Sequence, residues 1–262
     1  MQFFKKGYLG LVFLFLYAPI VILIIFSFNA SKSRGAWDGF TLDWYRQLFQ
    51  DEALLTSLYN TLLIAVAASI LATILGTAAA LGIHKMKGMR KSFMINLTYL
   101  PILNPDIVTG ISFMLLLIYL KIPRGLLSLL LAHITFCLPF VIISVLPKLR
   151  QLDPRLYDAA LDLGATPKRA YFSVILPQIL PGIFAGFLLA FTMSIDDFVI
   201  SYFTTGNGVS NLSISIYSMA RRGINPKINA VLTILFTGIL LLMFFIGRRM
   251  NSTSTKNERG NV

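Results

Sequence analysis

Residues 93–120 read FMINLTYLPILNPDIVTGISFMLLLIYL, an apolar run interrupted by Pro101, Pro105 and Asp106. A helix crosses the hydrocarbon of a bilayer in about 20 residues at roughly 1.5 Å each, so this run is long for one crossing and its halves are short for two. Five other runs fit one crossing apiece: Leu9–Phe28, Leu58–Ile83, Leu126–Leu146, Pro181–Phe203 with two aspartates inside it, and Ile228–Ile246. Taking 93–120 as a single kinked span, with the N-terminus inside, puts fifteen Lys and Arg in cytoplasmic segments, at 5–6, 85–91, 148–169 and 248–259, and eight outside. Taking it as two spans gives eleven inside and twelve outside, against the cytoplasmic excess of Lys and Arg that sets topology. The expectation is therefore an all-α, polytopic membrane protein with six transmembrane helices and both termini cytoplasmic, one membrane domain over 1–262.

Composition agrees. Hydrophobic residues make up 56% of the 262 and charged residues 13%, with a mean hydropathy of +0.75, whereas soluble domains carry about a quarter charged residues. The net charge of +12 lies between long uncharged runs rather than on one folded face, which argues against a nucleic-acid partner. Lys5 and Lys6 before an apolar stretch resemble a secretion signal, but Leu9–Phe28 is too long for one and lacks a small-residue cleavage site, so it reads as a retained first span.

Cys137 is the single cysteine and sits inside a run, which excludes an intrachain disulfide and a multi-cysteine metal site. His133 reads as a packed, hydrogen-bonded residue of the fourth span, and His84 lies at a span end; neither has the spacing of metal ligands. No cofactor is expected on this chain. There is no G-x-x-x-x-G-K-[ST] loop to cradle ATP phosphates, and no GxSxG or HExxH pattern. The chain is expected not to be an enzyme, and any energy must come from another subunit.

The outer loop, about 29–57, carries Trp37, Trp44 and Tyr45, which suit a membrane interface, and Thr41 could cap a short helix running to Phe49. Gly206, Asn207 and Gly208 read as a turn leading into a short surface helix before Lys227.

The cytoplasmic segment at about 147–177 has legible punctuation. Asp153 is a natural N-cap, Pro154 fits the first helical position, and Gly164 ends the helix, after which Thr166 and Pro167 repeat the start signal. Leu156, Ala159, Ala160 and Leu163 fall at i, i+3, i+4 and i+7, an apolar stripe that must be buried against this protein's own spans or in a groove on another protein.

Asp158-Ala159-Ala160, then Gly164, then Val174-Ile175-Leu176-Pro177 resembles the EAA loop of binding-protein-dependent ABC importer permeases, with aspartate where that family usually has glutamate and Val174 where it usually has isoleucine. The shorter carboxylate puts a specific salt bridge from that position in doubt and leaves the apolar face intact. The likeness extends through Trp37-Asp38-Gly39-Phe40-Thr41, Pro105-Asp106-Ile107-Val108, residues 133–141 (HITFCLPFV), Asp196-Asp197, Ile216-Tyr217-Ser218-Met219 and Asn229-Ala230. With these the chain is similar to the second permease subunit of spermidine/putrescine importers. The resemblance implies a type I ABC importer permease (MetI-like) architecture in the bacterial inner membrane. It also implies a homologous permease partner of the PotB type, two cytoplasmic ATPases of the PotA type that hold the ATP and Mg, and a polyamine-binding protein of the PotD type. The ATPase-docking residues would be Leu156, Asp158, Ala159, Ala160, Leu163 and Gly164.

Asp106, Asp196 and Asp197 lie within predicted spans, where an acid at the bilayer centre costs about 2.5 to 3.5 kcal/mol by insertion scales. No Lys or Arg lies inside a span, so a cationic cargo could supply the missing positive charge, and these three are the candidate substrate pathway. The alternative is that they cap broken helices. Adjacent helical residues point about 100° apart, so Asp196 and Asp197 are expected to have different tasks. A polyamine-carrying permease is the leading reading; a permease of the same architecture for another solute and a self-sufficient cation transporter are the alternatives.

Overall fold

The computed structural model describes residues 2–31, 36–206, 208–223 and 226–241. They are nearly all helical: α1 Gln2–Phe26, α2 Asp43–Phe49, α3 Glu52–Lys85, α4 Gly88–Leu103, α5 Asp106–Tyr119, α6 Leu126–Gln151, α7 Arg155–Asp162, α8 Pro167–Ala170, α9 Leu176–Asp196, α10 Val199–Thr204, α11 Leu212–Arg222 and α12 Lys227–Leu241. A π-helical turn, Tyr171–Ile175, joins α8 to α9. Pro177, just beyond it, has no N–H for the carbonyl of Ser173, and the ladder widens ahead of it. The chain divides into two compact units, Thr56–Ser215 and the pair of segments Met1–Leu55 and Ile216–Val262.

Four helices are long and apolar enough to cross a membrane: Lys6–Phe26, Glu52–Lys85, Leu126–Gln151 and Pro167–Asp196. The run expected to be one kinked span is a helix pair, α4 and α5, bent by 102°, and it brings the number to five if taken as one broken span. Pro105 causes the break, because its ring drives Asn104 to an extended backbone (φ −75°, ψ 140°). The sixth expected run appears as α12, too short for a full crossing through Leu241; its remainder lies outside the described residues. The fifth run also departs from expectation, since α9 stops at Asp196 and Asp197 is extended.

In the unit Met1–Leu55 with Ile216–Val262, Asn29 organises the outer loop. Its amide donates to the carbonyl of Ala36 at 2.8 Å and its Oδ1 accepts from the N–H of Asp38 at 2.9 Å. Trp44, expected as an interfacial anchor, is buried and donates its indole N–H to the Asn29 carbonyl at 2.7 Å. Trp37 remains exposed. Thr41 assists the start of α2 from one residue before the N-cap, its hydroxyl accepting from the N–H of Asp43.

The core of Thr56–Ser215 is α6 packed on α9, with α3 and α10 alongside; Phe136, Cys137, Val141 and Val145 meet Ile179, Ala190, Ala72 and Ile200. Between apolar helices in lipid the drive to associate is close packing, which favours small residues at the contact. Gly182, Gly186 and Ala190 supply it at spacings of four, and a Cβ on Gly186 would lie 3.1 Å from the Val141 Cα. Gly76 is tighter still, 2.7 Å from the Val141 Cβ, and Gly110 of α5 lies 2.8 Å from the Phe203 ring by the same measure. Replacing Gly186 with leucine should therefore lower the thermal midpoint of the purified protein, by about 1–3 kcal/mol of overpacking, while Gly82→Ala, at an open site inside α3, should not lower it.

Candidate functional site

The segment at 147–177 folds on its own signals. The Oδ1 of Asp153 accepts from the N–H of Arg155 at 2.9 Å, so α7 begins at Arg155, one residue later than expected. It ends in a Schellman motif: Ala165 N–H to the Ala160 carbonyl at 3.0 Å, Gly164 N–H to Leu161 at 2.9 Å, with Gly164 at φ +84°. Thr166 then caps α8, accepting from the N–H of Arg169, with Pro167 in the first position.

The stripe on α7 is divided. Leu156, half-buried, packs with Leu152, Tyr157 and Tyr171 against the core, and Ala160 is 8% exposed. Leu163 is 90% exposed, and Asp158, Ala159 and Gly164 are exposed as well. The core reaches the first turns of α7 and not its end, so part of the stripe rests on the chain's own helices and part is exposed.

A contact that the sequence does not reveal holds this segment. Lys85, the last residue of α3, places its Nζ 4.8 Å from the ring centre of Tyr171 and 5.6 Å from that of Tyr157, and the two rings lie 5.0 Å apart. The three residues are far apart in the chain, and Lys85 reads from the sequence only as one of the topology-setting bases. An ammonium over two rings is worth about 0.5–1 kcal/mol at an exposed site.

The intramembrane acids separate. Asp197 is buried in the break between α9 and α10. Its Oδ1 accepts from the Ile200 N–H at 3.1 Å, and its Oδ2 from the Ser201 N–H and hydroxyl, each at 2.7 Å. His133 Nε2 stands 3.4 Å from the same oxygen and 2.9 Å from Ser201 Oγ, while its Nδ1 meets Ser194 Oγ at 2.7 Å. Asn211 closes the group, donating to Ser201 Oγ at 2.7 Å. Asp197 is thus the cap of α10, and His133, packed and hydrogen-bonded as expected, supplies the partner that no Lys or Arg provides. Asp196, one residue earlier, is exposed. Asp106, the first residue of α5, is exposed too. Neither carboxylate makes an ion pair among the described residues.

Residues 72–253 match the family of binding-protein-dependent transport system inner membrane components. The chain belongs to this family. This permease is 38% identical over 258 residues, 98% of its length and 97% of the relative's, to the spermidine/putrescine transport system permease protein PotC of Escherichia coli K12. It is 41% identical over 242 residues, 88% of its length and 85% of the relative's, to the putrescine transport system permease protein PotI of the same strain. Its fold matches, with a TM-score of 0.72 at 16% identity over 95% of this chain and 94% of the other, a bacterial ABC transporter involved in the import of the acidic polysaccharide alginate. The expected permease fold is therefore present.

Two outcomes test the site. Asp197→Ala should leave the N–H groups of Ile200 and Ser201 unpaired in a buried break and lower stability by about 1–3 kcal/mol, read as a fall in the thermal midpoint that Asp196→Asn does not share. Lys85→Gln should speed amide hydrogen exchange in Arg155–Asp162 about two- to fivefold, the equivalent of the lost cation–π contact, and Lys85→Arg should restore it.

Proposed function

We propose that this permease is the membrane-spanning subunit of an ABC importer carrying a polyamine, spermidine or putrescine, across the bacterial inner membrane. The observation that carries the reading is full-length similarity to polyamine permeases, joined to an exposed Asp196 with no cationic partner among the described residues beside a buried, fully bonded Asp197. Asp196, with Asp106, lines the path and attracts the polyammonium cargo; Asp197 holds the break that positions Asp196. The domain, 1–262, pairs with a homologous permease and receives cargo from a binding protein, and both termini lie in the cytoplasm. Two ATPase subunits supply the ATP and Mg, docking on the exposed part of the segment at Asp158, Ala159, Leu163 and Gly164, with Leu156 and Ala160 anchoring it to the spans.

Uptake of labelled spermidine into vesicles holding the assembled transporter checks this. Uptake should require ATP and the ATPase subunit and be competed by putrescine, and Asp196→Asn should reduce it by roughly tenfold, about 1.4 kcal/mol of lost charge interaction. Gradient-driven uptake by this chain alone supports the secondary-transporter reading instead, and indifference to both polyamines means another cargo.

A further inference from the structure

We propose that the cleft between α4 and α6, at the end of the helices that carries the basic loops, binds an anionic phospholipid. Lys91, Ile95, Thr98 and Tyr99 fall at i, i+4, i+7 and i+8 on α4, so they share one face. Ile143, Leu146, Pro147 and Arg150 do the same on α6, at i, i+3, i+4 and i+7. Apart from Lys91, all of these line one cleft together with Ile142. Each helix therefore offers an apolar face that ends in a cation, and the two cations stand at the same end.

Lys91 and Arg150 make no ion pair among the described residues. Lys91 Nζ donates to the His84 carbonyl at 3.2 Å, and the charges of Lys91 and Arg150 both act on the His84 ring. Ion pairs among the described residues join His133 to Asp197 and Lys227 to Asp51, and neither involves Lys91 or Arg150. The Nδ1 of His84 is buried with no hydrogen-bond partner. Bases from three helices thus converge with no acid among them, a field that favours an anion.

The apolar part decides what kind of anion. From Arg150 to Ile143 the cleft runs about 10 Å along α6 at roughly 1.5 Å per residue, down into the hydrocarbon. The surface of a soluble partner does not enter there; an acyl chain does. Basic pockets between transmembrane helices on the cytoplasmic side hold phospholipid headgroups in this manner. The phosphate engages Lys91 and the Arg150 guanidinium, whose planar fork suits it, and an acyl chain lies along Ile95, Ile143 and Leu146.

The full-length chain, purified in detergent with its partner subunits, tests this by native mass spectrometry in mixed micelles of phosphatidylglycerol and phosphatidylcholine. Wild-type protein should prefer phosphatidylglycerol by roughly thirtyfold, for two cations near a headgroup. Lys91→Gln with Arg150→Gln should abolish the preference, and Ile143→Trp, which fills the cleft without touching the cations, should reduce retention severalfold. Arg150→Gln alone, at an exposed position, should lower the preference about fivefold and serves if the other variants fail to fold. Phosphatidylglycerol held equally well by the variants, or phosphatidylcholine held equally well by the wild type, overturns the proposal. So does loss of the ATPase subunits with lipid retention unchanged, which makes this face a protein contact. Lipid retention is read without transport, so its outcome is independent of the cargo.

Discussion

Inside the hydrocarbon there is no water to take up a free N–H or C=O, so wherever a membrane helix is interrupted the protein itself must satisfy the backbone it releases. The interruption between α9 and α10 shows what this demands. A new helix opens with unpaired N–H groups, and Asp197 accepts two of them while Ser201, His133 and Asn211 bond to one another around its carboxylate. At the far end of α10 the Ser128 hydroxyl lies 2.9 Å from the Thr204 carbonyl. The Asp197 carboxylate is thereby bonded into the backbone of the break, and its neighbour Asp196 is left exposed. The α4–α5 break is met by simpler means: Pro105 has no N–H to satisfy, and its carbonyl accepts from Val108 and Thr109 at 2.9 and 3.2 Å.

The break would have no fixed position without the packing that surrounds it. Burial from water drives no association between helices in lipid, and contact distance matters instead. Gly182, Gly186 and Ala190 bring α9 onto α6 so closely that Cys137 Sγ reaches the Ala190 carbonyl at 3.3 Å. His133 lies one turn from Cys137 on the same helix, so this contact also carries the imidazole to Ser194 and Ser201. The lone cysteine is a small, buried residue there, as its composition suggested.

Beyond α6 the same unit continues into α7 and α8. The Schellman turn at Gly164 and the Thr166 cap give α7 and α8 their shapes from local sequence, but their attachment is through space. Leu156 and Tyr157 join the core, and Lys85 of α3 meets both tyrosines. α7 thus touches α3 and the π-helical turn that leads into α9, the helix that ends at Asp196.

By itself the sequence determined what depends on composition and on local chain chemistry. Its apolar runs and basic loops declared a helical membrane protein; Asp153, Gly164 and Thr166 marked the ends of the short helices α7 and α8; and the spacing of Asp158-Ala159-Ala160, Gly164 and Leu176-Pro177 pointed to the permease family. Such signals act within a few residues, so they can be read in order along the chain. The glycines at 182 and 186 were legible as a four-residue spacing too, though not what they meet. Only the tertiary structure decided which acid caps and which is exposed, how sharply the run at 93–120 turns, that Trp44 is buried, and that the stripe on α7 is shared between the core and the outside. Each of these depends on a partner distant in sequence, His133 for Asp197, Asn29 for Trp44, and Lys85 for Tyr157 and Tyr171, and a periodic pattern gives the direction a side chain faces without saying what stands opposite.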